Sequence, residues 1–334
     1  MPSDFVHLHV HSHYSLLDGA CTTKGLLTLA KEYDMAAVAI TDHGFMGGIQ
    51  DFYKTFKGSG VKPILGCEAY IAPGSRLDKN QATPNVRGFH LLLLAENNAG
   101  YHNMCKLISE GYRTGSYYGK PRIDKDLLRE FNGGIIGLSA CIAGEIPQHL
   151  LDGNQAAAEK SLAEYVEIFG KDNFFLELMD HQMDEERKAN RGLIELARKF
   201  DLKCVATNNA HYLKKEHAKA HEIMLCIQTG ALLSDPKHFQ FPGPEFYFKT
   251  TDEMKALFAE IPEAVTNTRL IAERCDTSFK YVPDVNHYPV YTLPDGTVPG
   301  KEFLREICLE NIPDRYGFVP RAADLKPDQQ SLIE

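Results

Sequence analysis

Histidines 7, 9, 11 and 13 occupy every second position of His7-Leu8-His9-Val10-His11-Ser12-His13. In an extended strand alternate residues share a face, so this spacing predicts four imidazoles on one side and Val6, Leu8 and Val10 on the other. A single buried histidine is ordinarily a satisfied core residue. Four at period two make sense chiefly as metal ligands, because neutral imidazoles packed together aim their lone pairs into one volume. If the strand belongs to a barrel, the chemistry sits at its C-terminal end. That favours His9 and His11 over His7 and puts His13 beyond the strand. Asp18, in Leu17-Asp18-Gly19, is either a carboxylate ligand that swings back or an ordinary turn residue.

Similar chemistry closes other apolar runs. Ala36–Thr41 leads into Asp42-His43-Gly44, where His43 shares parity with the small residues Ala37, Ala39 and Thr41 and so faces inward. Asp42 faces the other way, behind the ligands. Glu68 shares a face with Ile64 and Gly66, and an ionised carboxylate inside a barrel is costly unless paired or bound to metal. Cys141 follows Gly134–Ser139 and is a candidate thiolate ligand, although a lone cysteine is more often packing. After Lys203–Thr207, Asn209 and His211 share one face. The mixture of His, Asp, Glu, Cys and Asn suits Zn²⁺ or Mn²⁺, and it exceeds what one four-coordinate ion needs, which predicts a cluster. Such a cluster acidifies bound water toward a pKa of ~7 and clamps the oxygens of a phosphoryl displacement.

These residues need elements to position them. Short apolar runs alternate with amphipathic stretches, the pattern of β–α units. Strands are expected at Phe5–Val10, Ala36–Thr41, Pro63–Ile71, Gly88–Ala95, Gly134–Ser139, Asn173–Met179 and Lys203–Thr207. Helices are expected at Thr22–Tyr33, Asn97–Arg113, Asn154–Phe169 and Asp184–Phe200. Seven strands without a glycine-rich phosphate loop fit a TIM-like (β/α)7 barrel better than a doubly wound sheet. The connection 72–87 is polar and too irregular for a crossover helix, so the strands it joins are expected to form one antiparallel pair. His90, which opens its strand, then comes near Glu68. Past Cys275 the chain becomes proline-rich, so a boundary is expected near 276, with 277–334 as a separate short extension.

Composition narrows the function. There are 36 basic and 45 acidic residues, a net charge of -9, which argues against gripping a long stretch of nucleic acid but not against handling a strand end. Eight scattered cysteines without a CxxC motif fit a reduced, cytoplasmic protein. No apolar run approaches the ~18 residues of a membrane span, and the N-terminus has no leader pattern. The loop 111–122 mixes Arg113, Lys120 and Arg122 with three tyrosines, suited to base stacking and phosphate contact, or simply a solvated loop. Asp180-His181 can support the ligands from behind. His217 and His221, spaced i, i+4 without a HExxH carboxylate, read as a surface helix face.

The segments HLHVHSHYSLLDGA, ITDHG, GCEAYIAPGSR, FHLLLLAENNAGYHN and ATNNAHYL resemble, in order, the polymerase-and-histidinol-phosphatase (PHP) domain of bacterial DNA polymerase III alpha subunits. EAYIAPGSR and ENNAGYHN are specific to the polymerase branch, and the resemblance runs from residue 1 to about 276. It implies a distorted (β/α)7 barrel holding up to three divalent ions, with ligands at His9, His11, Asp18, His43, Glu68, His90, Cys141, Asn209 and His211. It further implies metal-bound water as nucleophile beside Asp18, His43 and His211, in 3′–5′ exonuclease proofreading on the 3′ end of single-stranded or frayed DNA. Other replicase subunits are the implied partners. GKEFLREICLENIPDRYG resembles the start of the polymerase palm, so the chain reads as a fragment lacking the polymerase active site. One position departs from the family pattern: Asp-x-His is Asn209-Ala210-His211 here, and an amide carries no charge and cannot act as a base. The alternative implied function is a metal-stabilised structural module that supports the polymerase and its partners.

Overall fold

The longest apolar runs become the two longest strands, β2 (Lys62–Ile71) and β3 (Phe89–Ala95), where β1 is Ala37–Ile40. Further along are β4 (Ser116–Tyr117), β5 (Lys120–Ile123), β6 (Ile135–Leu138), β7 (Phe174–Leu178) and β8 (Cys204–Ala206). The computed structural model describes residues 3–79, 88–279, 289–293 and 295–333. Part of the irregular connection 72–87 and part of the proline-rich stretch therefore lie outside the described residues. The chain divides into two units, Met1–Ser278 and Phe279–Glu334.

In the first unit β1 pairs in parallel with β2, β6 with β7, and β7 with β8. β3 runs antiparallel to β2 and also to β6. The expectation of one antiparallel pair is extended here: β3 opposes both of its neighbours, and β4 opposes β5 at the sheet's edge. The segment around residues 7–11 closes the ring. Ala39 N donates to His7 O at 2.8 Å on one side, and His11 N donates to Ala210 O at 2.8 Å on the other. It is not the regular strand expected for Phe5–Val10, because Val10 N donates to the side-chain Oγ1 of Thr41 rather than to a backbone carbonyl.

That irregularity reverses the alternation. Val6 and Leu8 belong to one core cluster with Ala37, Ala39, Ile64, Leu92, Leu94, Leu138, Phe175 and Val205. These are the inward-facing positions whose continuation along each strand leads to His43, Glu68, His90 and Glu177. His7 points away: it stacks on Phe248 with ring centroids 4.0 Å apart, and its Nε2 lies 2.8 Å from Lys249 O. The four histidines thus do not share one face. A side-chain hydrogen bond in place of a ladder bond lets His9 and His11 join the inward set beside Leu8.

The helices of this unit are α1 (Thr23–Glu32), α2 (Ile49–Phe56), α3 (Asn98–Thr114), α4 (Lys125–Phe131), α5 (Glu145–Leu151), α6 (Gln155–Phe169), α7 (Asp184–Phe200), α8 (Ala218–Thr229), α9 (Thr251–Leu257) and α10 (Pro262–Arg274). Side-chain caps set several starts: Thr22, Asn97, Asp124 and Asn154 each accept a hydrogen bond from a first-turn backbone N–H. α10 contributes Ile271 and Ala272 to the inner cluster, and the adjacent Cys275 joins them. The apolar layer therefore fills one end of the barrel and leaves polar residues at the other. The second unit contains α11 (Lys301–Tyr316), ended by Gly317 in the left-handed conformation, and α12 (Pro327–Ile333).

The stretch read as a loop at 111–122 is instead the end of α3 followed by a β4–β5 hairpin. Tyr118 and Gly119 both have positive φ, the two-residue turn whose twist suits a hairpin. Strands this short leave no periodicity to read.

Candidate metal centre

Glu68 organises the polar end of the barrel. It is fully buried on β2, and its Oε2 lies 2.9 Å from His9 Nε2 while its Oε1 lies 2.6 Å from His43 Nδ1 and 2.9 Å from His90 Nδ1. The His90 contact depends on the reversed strand: the register Tyr70↔His90 sets the beginning of β3 against the end of β2. Cys141 Sγ sits 3.6 Å from His90 Nδ1. Asp18 reaches the other edge, with Oδ2 2.8 Å from His43 Nε2 and Oδ1 3.8 Å from His211 Nε2. The His11 ring lies between those of His43 and His211, at centroid distances of 3.9 and 4.3 Å.

Three overlapping sets result: His11, His43 and His211; His9, His11 and Glu68; and Glu68, His90 and Cys141, each with ligand atoms within 4.8 Å of one another. Each set could hold a metal ion. Asn209, held at positive φ, places its backbone O 2.8 Å from His211 Nδ1, and its own Oδ1 is buried with no hydrogen-bond partner. Among the described residues Asp18 Oδ1 and Glu177 Oε2 are likewise buried without hydrogen-bond partners, and His43 Nε2, though 2.8 Å from Asp18 Oδ2, makes no well-aligned hydrogen bond. Orphaned polar atoms normally cost about 1–3 kcal/mol each. Imidazole nitrogens, carboxylate and amide oxygens and a thiol converging on one volume, with some atoms left unsatisfied, fit divalent metal ions.

Without an ion the cluster must share protons. Burial alone would strip His9, but Glu177 and Glu68 on its two nitrogens outweigh burial and lift its pKa to about 10. Burial is likewise outweighed at His43, which Glu68 and Asp18 raise to about 9, and at His90, raised by Glu68 and Cys141. Burial and then the charges of His43 and His211 push His11 well down, and burial takes His211 to about 3 against the pull of Asp18. Burial opposes ionisation of Asp18 and Glu68, yet the surrounding imidazoles hold both well below the usual carboxylate range.

Two supporting residues, Glu177 and His221, escape sequence reasoning. Glu177 on β7 holds His9 Nδ1 at 2.7 Å and accepts a hydrogen bond from Thr207 Oγ1 at 2.6 Å. A carboxylate inside the apolar run Phe174–Leu178 was the available signal, since a buried charge needs a partner. His221, read as part of a surface helix face, is buried, with Nε2 2.7 Å from Asp18 O; the i, i+4 spacing carries no sign of this. Asp42 accepts from Ser12 N, Ser12 Oγ and Ser15 Oγ at 2.7–2.8 Å and so ties down the loop before Asp18. His181, gripped by Glu186 and stacked on Phe246, has its Nε2 2.6 Å from Asn208 O, next to Asn209; Asp180 instead caps Gln182 N. His13 is exposed and outside the cluster.

The three basic residues of 111–122 separate. Arg113 is exposed and paired with Glu110. Lys120 Nζ donates to Tyr70 OH at 2.9 Å, at the mouth of the site. Arg122 is fully buried, lies 3.9 Å from the Tyr117 ring centroid and donates to Asp78 O. Its reading as a DNA contact is corrected: the hairpin folds over the guanidinium.

The PHP domain profile matches residues 7–181. The chain is 41% identical to the DNA polymerase III subunit alpha of Treponema pallidum over 98% of its own length, and 43% identical to that of Thermus aquaticus over 99%. It spans only 28% of the length of each. Among solved structures, a Bifidobacterium adolescentis protein proposed as a metal-dependent phosphoesterase covers 62% of the chain at 15% identity, with a TM-score of 0.42 and 87% of that protein aligned. No helix among the described residues is long and apolar enough to cross a membrane. With more than half of its sequence matched to the profile, the chain belongs to the PHP domain family.

Proposed function

We propose that this domain is a divalent-metal phosphodiesterase that removes nucleotides from the 3′ end of single-stranded or frayed DNA. It would act in the cytoplasm, as the proofreading part of a DNA polymerase III alpha subunit working with other replicase subunits. The observation that carries this reading is the trio of donor sets chained together, the first two by His11 and the last two by Glu68. The ligands are His9, His11, Asp18, His43, Glu68, His90, Cys141, Asn209 and His211. Bound Zn²⁺ or Mn²⁺, up to three ions, would supply an acidified water and neutralise charge on the phosphodiester.

The chain's own residues do the rest. Glu68 gathers three imidazoles, and Glu177 with Thr207 fixes the ring of His9. Asp18, His43 and His90 are the solvent-touching edge, with side chains 16–20% exposed, where a strand end meets the cluster. Asp18, held ionised, and His43 and His211 border the space where water adds to phosphorus. The bond to the preceding nucleotide's 3′ oxygen then breaks, releasing a nucleoside 5′-monophosphate. Residues 277–334 are read as the start of a palm-like region, supported by similarity to the polymerase relatives beyond the barrel.

The test is nucleotide release from a 3′-mismatched primer with Mn²⁺ or Zn²⁺, using His11→Ala to exclude contaminating nuclease. No release by protein with confirmed metal content overturns the reading. Asn209, an amide where the family pattern has a carboxylate, favours the second reading, a metal-stabilised support module. In that case chelation lowers the melting temperature with no activity to lose.

A further inference from the structure

Beside the cluster lies a cavity of about 260 Å³ that shares Asp18 and His43 with it. Its other walls include ring and aliphatic surface from Tyr14, Leu16, Phe45, Tyr70 and Tyr112, with Gln228 and the Lys120 ammonium as polar groups beside them. Leu16 is 77% exposed, Tyr112 51% and Phe45 40%. Large apolar side chains left this open around a polar centre are characteristic of ligand sites. The volume falls just under the ~300 Å³ low end of small-ligand pockets, so one flat ring system with its sugar fits and a paired duplex end does not. Among the described residues Lys120 pairs with no carboxylate; it rests on Tyr70, with Nζ 4.7 Å from the ring centroid.

We infer that this cavity is the subsite for the 3′-terminal nucleoside of an unpaired strand, with the base held against Phe45 and Tyr112 and the adjoining phosphate drawn by Lys120 toward Asp18 and His43. The inference rests on the DNA reading above and adds a selection rule to it. Every base has a π-face, so aromatic walls bind all four without sequence preference. A paired terminal base cannot enter, so the cavity itself distinguishes frayed from matched ends.

The chain contains no tryptophan, which leaves the fluorescence of 2-aminopurine readable. The experiment titrates the metal-loaded protein into single-stranded DNA pentamers whose linkages are hydrolysis-resistant phosphorothioates, carrying 2-aminopurine at the 3′ terminus or at the 5′ terminus. Quenching confined to the 3′ probe is expected, with binding weakened about tenfold or more in Phe45→Ala and Tyr112→Ala. Both side chains are too exposed for their loss to unfold the protein, and unchanged melting curves check this. Equal quenching at both ends, or wild-type affinity in both variants, overturns the subsite while leaving the DNA reading standing. Absence of any binding, by fluorescence and by anisotropy, overturns both.

Discussion

Glu177 Oε1 lies 2.7 Å from His9 Nδ1, on the opposite side of the ring from the Nε2 that faces Glu68. The carboxylate fixes the ring so that Nε2 is the nitrogen presented to the cluster, and it raises the basicity of that nitrogen. Glu177→Gln keeps the size and loses the charge. Metal affinity, measured by competition with a chromophoric chelator, is expected to fall about 10- to 100-fold. Affinity equal to the parent's would show that Glu177 does not orient His9.

The metal-free protein is expected to be most stable near pH 6.5. His9 and His43 have folded pKa values raised to about 10 and 9, so their contribution is complete below 6.5 and is lost as pH rises through those values. His7 and His211 are lowered by burial to about 4 and 3, so they contribute above 6.5, and that contribution is lost as pH falls. Asp18 and Glu68, both depressed, add to the loss on the acid side. Urea denaturation in EDTA at pH 5, 6.5 and 9 checks the dome. Added metal must displace the protons on His9 and His43, so its affinity rises with pH between 6.5 and 9 and binding releases protons. Calorimetry in two buffers of different ionisation enthalpy measures that release, and no proton release contradicts the scheme.

The parts of the site legible in the sequence were those that repeat or contradict a local pattern. His9 and His11 declare themselves by spacing, and Glu68 by its place on an apolar strand. His90 could be brought to Glu68 because residues 72–87 cannot make a crossover helix. Legibility ended where tertiary pairing decides. The strand period predicted His7 beside His9, but the alternation breaks where Val10 N bonds the Thr41 side chain, and His7 faces outward while His9 faces in. Glu177 and His9 are 168 residues apart in sequence, and nothing local says that these inward faces meet. His221 sits on a helix of ordinary polarity. Arg122 looked like a phosphate contact because burial by a two-residue strand leaves no trace in composition.

Arg122→Ala separates structure from DNA contact. The guanidinium is buried against Tyr117 and bonded to Asp78 O, so truncation removes packing as well as charge. A loss of about 2–3 kcal/mol in unfolding free energy is expected. Arg113→Ala, which breaks only an exposed pair with Glu110, should leave stability essentially unchanged. Denaturant titration of both variants measures the contrast. Equal stabilities would mean that the Arg122 guanidinium is solvated in solution.

Asn209→Asp tests whether the amide limits the site. Asn209 sits at φ 42°, a left-handed conformation that aspartate also tolerates, so the backbone can stay unchanged. Its buried Oδ1 lacks a hydrogen-bond partner, and a carboxylate there would bring a full negative charge to the edge that holds His211. Metal affinity is expected to rise about tenfold, since added ligand charge strengthens cation binding. In the metal-free protein the new charge must be accommodated without a cation, so chelation should lower the melting temperature more than in the parent. Nucleotide release measured at saturating Mn²⁺ then divides the two functional readings. A higher rate means that asparagine restrains a working nuclease. Tighter metal binding and a higher melting temperature without release point to the support module.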